Sequence, residues 1–131
     1  MVMAGPGIPE GKRTEALCYL RDLFPTLCCL SGIDIRCDVE GRSLVPLIQG
    51  KAESVYSAVY GVFRDKQRMV WDGRWKLIHY PQIQKFQLFD LASDPFEKQD
   101  KTNDSSHQET LQKLKAQLTQ KFQEWESERA H

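Results

Sequence analysis

The chain has 131 residues, 40% hydrophobic and 27% charged, enough for one modest core and within ordinary globular composition. Eighteen basic residues balance eighteen acidic ones, and no run of Lys and Arg is long enough to track a phosphate backbone, which disfavours a nucleic-acid partner. No apolar run reaches the length of a membrane span, and Met1-Val2-Met3-Ala4-Gly5-Pro6-Gly7 lacks the basic and apolar regions of a secretory leader. The expected compartment is therefore the cytoplasm if Met1 is the authentic start.

Along the chain, Gly5, Pro6, Gly7, Pro9 and Gly11 make the start irregular, following at most a short strand over residues 1–4. Residues 15–19 read as a short strand or an extended lead-in. A helix is expected over about 22–31, where Leu23, Phe24, Leu27 and Leu30 recur at helical spacing. Pro25 places the helix start, because proline is tolerated in the first turn and breaks an interior. Asp22 is then the expected N-cap and Gly32 the C-terminal stop. Residues 33–41 read as loop, and Leu44-Val45-Pro46-Leu47-Ile48 as a single apolar anchor before Gly50.

From residue 55 the pattern changes to strands. Residues 55–63 mix β-branched and aromatic side chains with small ones. Arg68-Met69-Val70-Trp71 then meets Arg74-Trp75-Lys76-Leu77-Ile78 across Asp72-Gly73, a pair suited to a type I′ hairpin turn in which both residues take positive φ. A further strand over 86–91 ends at Ser93-Asp94-Pro95, a turn signal. Leu111, Leu114, Leu118, Phe122 and Trp125 form the apolar stripe of a last helix, about 107–127, expected to pack across one sheet face. Residues 98–106 read as the most mobile linker. The fold class is thus α+β, an antiparallel sheet of three to four strands packed against a long C-terminal helix.

Reaction chemistry is sparse. His79, His107 and His131 show no metal-ligand spacing and stand near no nucleophile turn. The Gly-rich start reproduces neither a P-loop nor a dinucleotide fingerprint. Cys18, Cys28, Cys29 and Cys37 lack the paired spacing of a zinc site and read as reduced, partly buried thiols. Asn103-Asp104-Ser105 fits the glycosylation tripeptide, which matters only after export. Asp22, Asp72 and Asp94 already have structural tasks as cap and turn residues. Arg64, Lys66 and Arg68 form a small basic cluster that could face an anionic group, and Trp71 with Trp75 suggests cross-strand aromatic packing.

The order of motifs carries more than any one of them. Gly5-Pro6-Gly7-Ile8-Pro9-Glu10-Gly11-Lys12-Arg13, then Asp22-Leu23-Phe24-Pro25-Thr26-Leu27, then Gly41-Arg42-Ser43-Leu44-Val45-Pro46-Leu47-Ile48-Gln49-Gly50 resembles the end of the main domain of the sulfatase family. Gly73-Arg74-Trp75-Lys76-Leu77-Ile78, Leu88-Phe89-Asp90-Leu91 and Asp94-Pro95-Phe96-Glu97 are similar to its smaller C-terminal subdomain. The resemblance implies a tail of an α/β domain over 1–50 and a sheet-and-helix subdomain over 51–131. It also implies sulfate-ester hydrolysis by a formylglycine made in a C-x-P-x-R or S-x-P-x-R motif, assisted by calcium. Neither group is expected in this chain, since Leu20, Leu30, Ser31 and Val39 stand where proline should follow Cys18, Cys28, Cys29 and Cys37. No catalytic and no metal-binding residue is therefore assigned, and Arg64 and Arg68 are the candidate substrate contacts. The expected partner is the missing N-terminal sulfatase half, in cis or in trans. The alternative is a non-catalytic interaction module that kept the subdomain fold. One departure stands out: many members run into an Asn-Leu pair after the Asp-Pro turn, whereas this chain has Asp100-Lys101.

Overall fold

The computed structural model describes residues 1–129. The chain divides into two compact units, Met1–Ser57 and a second beginning at Ala58.

In the first unit residues 1–4 and 15–19 form no strand, and Tyr19 is extended backbone (φ −106°, ψ 156°). A 3₁₀ turn, Leu20–Asp22, runs directly into α1, Leu23–Leu30. Pro25 is the third residue of α1, inside the first turn, where an N–H has no intrahelical partner to lose. Gly32 ends the helix with φ +67°. The amides of Gly32 and Ile33 donate to the carbonyls of Cys29 (3.4 Å) and Cys28 (2.9 Å), the paired bonds of a Schellman stop.

Asp22 departs from its expected role as the cap of α1. Its backbone is already helical (φ −72°, ψ −15°) and its side chain makes no capping bond to that helix. The preceding 3₁₀ turn is the reason, because it starts the helical path three residues early. The fully buried carboxylate accepts instead from the Tyr19 amide (2.7 Å), the Arg42 amide (2.9 Å) and the Tyr56 hydroxyl (2.7 Å). One turn later the Thr26 hydroxyl, also fully buried, donates to the Asp22 carbonyl (2.5 Å) and accepts from the Leu44 amide (2.8 Å). The loop before Leu44 is thereby stitched to one side of α1. Directly after it the expected apolar anchor forms a short helix, α2, Val45–Ile48, with Pro46 in its first turn.

The second unit is a four-stranded antiparallel sheet in sequence order: β1 Val59–Phe63, β2 Gln67–Trp71, β3 Trp75–Tyr80 and β4 Lys85–Asp90. Its long helix, α3, spans Gln108–Arg129, and the fold is α+β. The register pairs Tyr60 with Val70, Val70 with Leu77 and Leu77 with Leu88. Side chains alternate along strands, so one face presents Tyr60, Val70, Leu77 and Leu88 in a row. Val70, Leu77 and Leu88 are joined in the core by Ala58, just before β1. These residues form a single core with Leu111, Leu114, Leu118 and Phe122 of α3. Burying each of the four helix side chains stabilises by about 1.5–3 kcal/mol. By contrast, the Lys121 to Glu124 ion pair on the helix surface contributes a few tenths of a kcal/mol. The apolar stripe therefore decides where α3 lies.

Two connections differ from expectation. In the β2–β3 hairpin Trp71 pairs with Lys76 and the Asp72 amide donates to the Trp75 carbonyl (3.2 Å), leaving Gly73 and Arg74 as the two loop residues. Gly73 alone has positive φ, +99°, at the first loop position, as a type II′ turn requires. Asp72 precedes the two loop residues and is free of that constraint, and its carboxylate accepts from the amides of Arg74 (3.0 Å) and Trp75 (2.7 Å). The stretch 98–106, read as a linker, is held against β4. Lys101 donates its amide to the Leu88 carbonyl (2.7 Å), and Leu88 donates to Asp100 Oδ1 (3.1 Å) and Thr102 Oγ1 (3.0 Å). These bonds occupy an edge that would otherwise present unpaired backbone groups.

Gly41 and Tyr56 test the stitching of α1. A Cβ on Gly41 would overlap the Arg21 carbonyl and press on Pro25 Cγ at 3.2 Å, so Gly41→Ala should lower stability by about 1–3 kcal/mol in chemical denaturation. Unchanged stability would mean the loop does not sit against the helix. Burial, reinforced by the hydrogen bond to Asp22 and its charge, pushes the Tyr56 hydroxyl up to about 12. A raised pKa ties stability to the protonated phenol, so this contribution is complete below pH 10 and fades as pH rises through about 12. Absorbance titration should show a late tyrosine ionisation that Tyr56→Phe removes; a late phase that Tyr56→Phe leaves unchanged would contradict the bond.

Candidate functional site

The three residues between β1 and β2 are Arg64, Asp65 and Lys66, a turn with two basic side chains and one acidic one. Arg64 takes φ +52°, and the Lys66 amide closes the turn on the Phe63 carbonyl (3.1 Å). Gln82 Nε2, in the connection after β3, donates to Asp65 Oδ2 (2.7 Å) and braces the turn from the side. With Asp65 engaged in that bond, the exposed Arg64 guanidinium, 5.8 Å from the Phe63 ring centroid, projects from the turn as a cation. Such a group can meet an anion without giving up an existing ion pair.

Arg68 is placed differently. It lies on the helix-facing side of β2 with its guanidinium carbon 4.4 Å over the Phe122 ring and Nη2 3.5 Å from Glu126 Oε1. The structure separates the two arginines, one at a turn apex and one spread over α3. In sequence they looked like one cluster because both lie within five residues in and beside the connection between two expected strands.

His79 lies flat on Phe86, ring centroids 4.2 Å apart and planes 5° apart. Burial lowers its pKa, helped by the positive charges of Arg68 and Lys115, so the neutral ring is favoured and serves as packing. His107 packs on Trp75 at 4.7 Å and approaches Asp104 Oδ2 at 3.8 Å. Asp104 accepts from the Ser106 amide at the start of the last helical segment. His131 lies outside the described residues. Trp71 and Trp75 do not pack together: Trp71 pairs with Lys76 in the register, which puts the two indoles on opposite faces.

Several other polar residues hold the scaffold. Asp94 accepts the Gln99 amide (2.7 Å) and shapes the turn that contains Pro95. Arg74 binds Asp90 through Nε (3.0 Å) and Nη2 (2.9 Å), and those bonds hold the Asp90 carboxyl down at about 2. Lys76 Nζ reaches both Glu97 oxygens, at 2.7 and 3.0 Å. Of the four free thiols only Cys28 is buried, while Cys18, Cys29 and Cys37 are exposed, contrary to the reading of all four as partly buried. Among the described residues no three His, Cys, Asp or Glu side chains gather as metal ligands, and no helix is long and apolar enough to cross a membrane. Sequence reasoning missed Thr26 and Tyr56. The signal for Thr26 was Asp22 and Thr26 four residues apart on an otherwise apolar helix, which places both polar groups on one face.

Residues 1–124 match the family model described as N-sulphoglucosamine sulphohydrolase, C-terminal. A Delta 4,5-hexuronate-2-O-sulfatase from Bacteroides thetaiotaomicron is 30% identical over 128 residues, covering 89% of this chain and 27% of that protein. Arylsulfatase K from Xenopus laevis is 30% identical over 112 residues, covering 74% and 21%. The solved structure of a 2-O GAG sulfatase superposes with a TM-score of 0.76 at 29% identity, covering 92% of this chain and 28% of that one. The chain thus spans about a quarter of the length of these relatives. Matching almost throughout, in sequence and in fold, the chain belongs to the sulfatase family and corresponds to its C-terminal portion.

Proposed function

We propose that this chain is the C-terminal segment of a sulfuric ester hydrolase, serving as the cap and support of an active site whose reacting groups lie in the preceding sulfatase segment, joined in cis or bound in trans. The observation that carries the reading is the near-complete match of this chain to about a quarter of each relative. Its own cysteines support the division of labour, because none is followed at the second position by the proline of a formylglycine motif. Formylglycine and calcium belong to the other three quarters under this reading, and the isolated chain hydrolyses nothing. Arg64 is the substrate-facing group, an exposed cation on a braced turn. Arg68 supports it indirectly by fixing β2 to α3. The relatives include a Delta 4,5-hexuronate-2-O-sulfatase and an arylsulfatase, so the reading stays at sulfuric esters as a class.

A second reading, a non-catalytic interaction module, draws on the closed core that the unit from Ala58 builds for itself. One set of assays separates the two. The pure chain with calcium should show no turnover of an aryl sulfate, whereas a chimera in which it replaces the matching quarter of the Bacteroides thetaiotaomicron sulfatase should turn over that enzyme's substrate. In the chimera Arg64→Ala should lower kcat/KM by about 2–5-fold, the scale of one exposed charge contact. Calcium-dependent turnover by the chain alone would overturn the assignment of the chemistry to the missing segment. A folded but inactive chimera would favour the interaction module.

A further inference from the structure

In the second unit the two connections at one end of the sheet form a single tip. Asp65, in the β1–β2 turn, accepts from Gln82 Nε2 (2.7 Å) of the 3₁₀ turn Pro81–Ile83, which leads from β3 towards β4. Each connection is also closed on itself. Lys66 donates its amide to the Phe63 carbonyl (3.1 Å), and Gln84 donates to the Pro81 carbonyl (3.3 Å). Chain ends braced in this way present their side chains in a fixed arrangement, so a partner that meets them pays little to order them.

Connections between strands ordinarily expose polar residues, and this tip does not follow the rule. Val62 and Phe63, at the end of β1, are 56% and 57% exposed, and Ile83 is 68% exposed. Lys66 and Lys85 stand exposed beside them, while Asp65, the acid of the turn, is held by Gln82. Phe96, another exposed apolar side chain of this unit, lies in the turn after β4, at the opposite end of the sheet. The core closes without the tip residues, through Val70, Leu77 and Leu88 against α3. Three bulky apolar groups flanked by lysines suit a partner that is apolar within and anionic at its surface. An anionic saccharide would satisfy the lysines but offers Val62 and Ile83 no apolar medium in which to be buried.

We infer that this tip seats on an anionic lipid surface, independently of the hydrolase role, with Val62, Phe63 and Ile83 entering the acyl boundary and Lys66 and Lys85 meeting headgroup phosphates. Docking of this kind needs no spanning helix, because apolar groups enter only the outer part of the bilayer. Each lysine near the surface strengthens binding about fivefold. Arg64 keeps its part toward substrate and is not needed for the attraction.

Flotation of the intact chain tests this, comparing vesicles of phosphatidylcholine alone with vesicles that also contain about 30% phosphatidylserine. The chain should float with the anionic vesicles, stay behind with the neutral ones, and be released as salt is raised. Lys66→Gln with Lys85→Gln should weaken binding about 20-fold. Val62→Thr with Ile83→Ser should abolish flotation and leave the melting temperature within about 2 °C of the parent, since both side chains are exposed and threonine keeps the β-branch of valine. Phe96→Ser, at the other end of the sheet, should change neither. Absence of flotation, equal flotation with both vesicles, or flotation that survives both double variants would overturn the lipid surface and leave the hydrolase reading standing. Retention on a soluble sulfated polysaccharide without flotation would assign the lysines to a saccharide and overturn it as well.

Discussion

Asp22 is buried completely, and its three donors are two backbone amides and a phenol hydroxyl. Removing a carboxylate from water costs several kcal/mol unless its oxygens are satisfied, so the positions of Tyr19, Arg42 and Tyr56 are fixed relative to one another by the need to satisfy them. Around that point Arg42 stacks on Tyr56 (4.7 Å), Arg21 on Tyr19 (4.3 Å), and the two tyrosine rings meet edge to face at 5.0 Å. The motifs Asp22-Leu23-Phe24-Pro25-Thr26 and Gly41-Arg42-Ser43-Leu44, far apart in sequence, are one device: the first supplies acceptors and the second the amides that fill them. Gly41 belongs to the same device because its backbone must lie where a Cβ cannot.

The second unit repeats that logic with charges. Arg74, in the turn before β3, binds Asp90 at the end of β4, and Lys76 of β3 binds Glu97 in the following turn. The three motifs that resemble the sulfatase subdomain are therefore the donors and acceptors of two ion pairs that close the sheet's C-terminal corner. Glu97, with φ +55°, accepts from Lys76 Nζ through both carboxylate oxygens. Recurrence of these motifs in order reflects shared architecture, and no reacting group is needed to explain it.

Much of this was legible beforehand. The strands, the α3 stripe, the Gly32 stop and the family itself follow from periodicity, turn chemistry and motif order, because each depends on residues close in sequence. The errors share a cause, which is that tertiary partners override local preference. Asp22 looked like a cap because the donors from Arg42 and Tyr56 lie 20 and 34 residues away. Residues 98–106 looked free because their partner is the edge of β4. Arg64 and Arg68 looked clustered until the positive φ at Arg64 turned the chain between them. The apolar residues of α1 are the most instructive case, since helical spacing picked out Leu23, Phe24, Leu27 and Leu30 but could not tell that Phe24 and Leu27 are exposed, on the side away from the Asp22 and Thr26 bonds.

Polar bonds on one side hold α1 in a fixed orientation, with Phe24 and Leu27 exposed on the other. Amide hydrogen exchange at Arg42 and Leu44 in the isolated chain tests this most directly, because their donors end on Asp22 Oδ1 and Thr26 Oγ1. Protection comparable to that of the amides pairing β2 with β3 is the predicted result. Exchange at the rate of an unstructured loop would show that the loop is not stitched to the helix, and that nothing holds Phe24 and Leu27 outward.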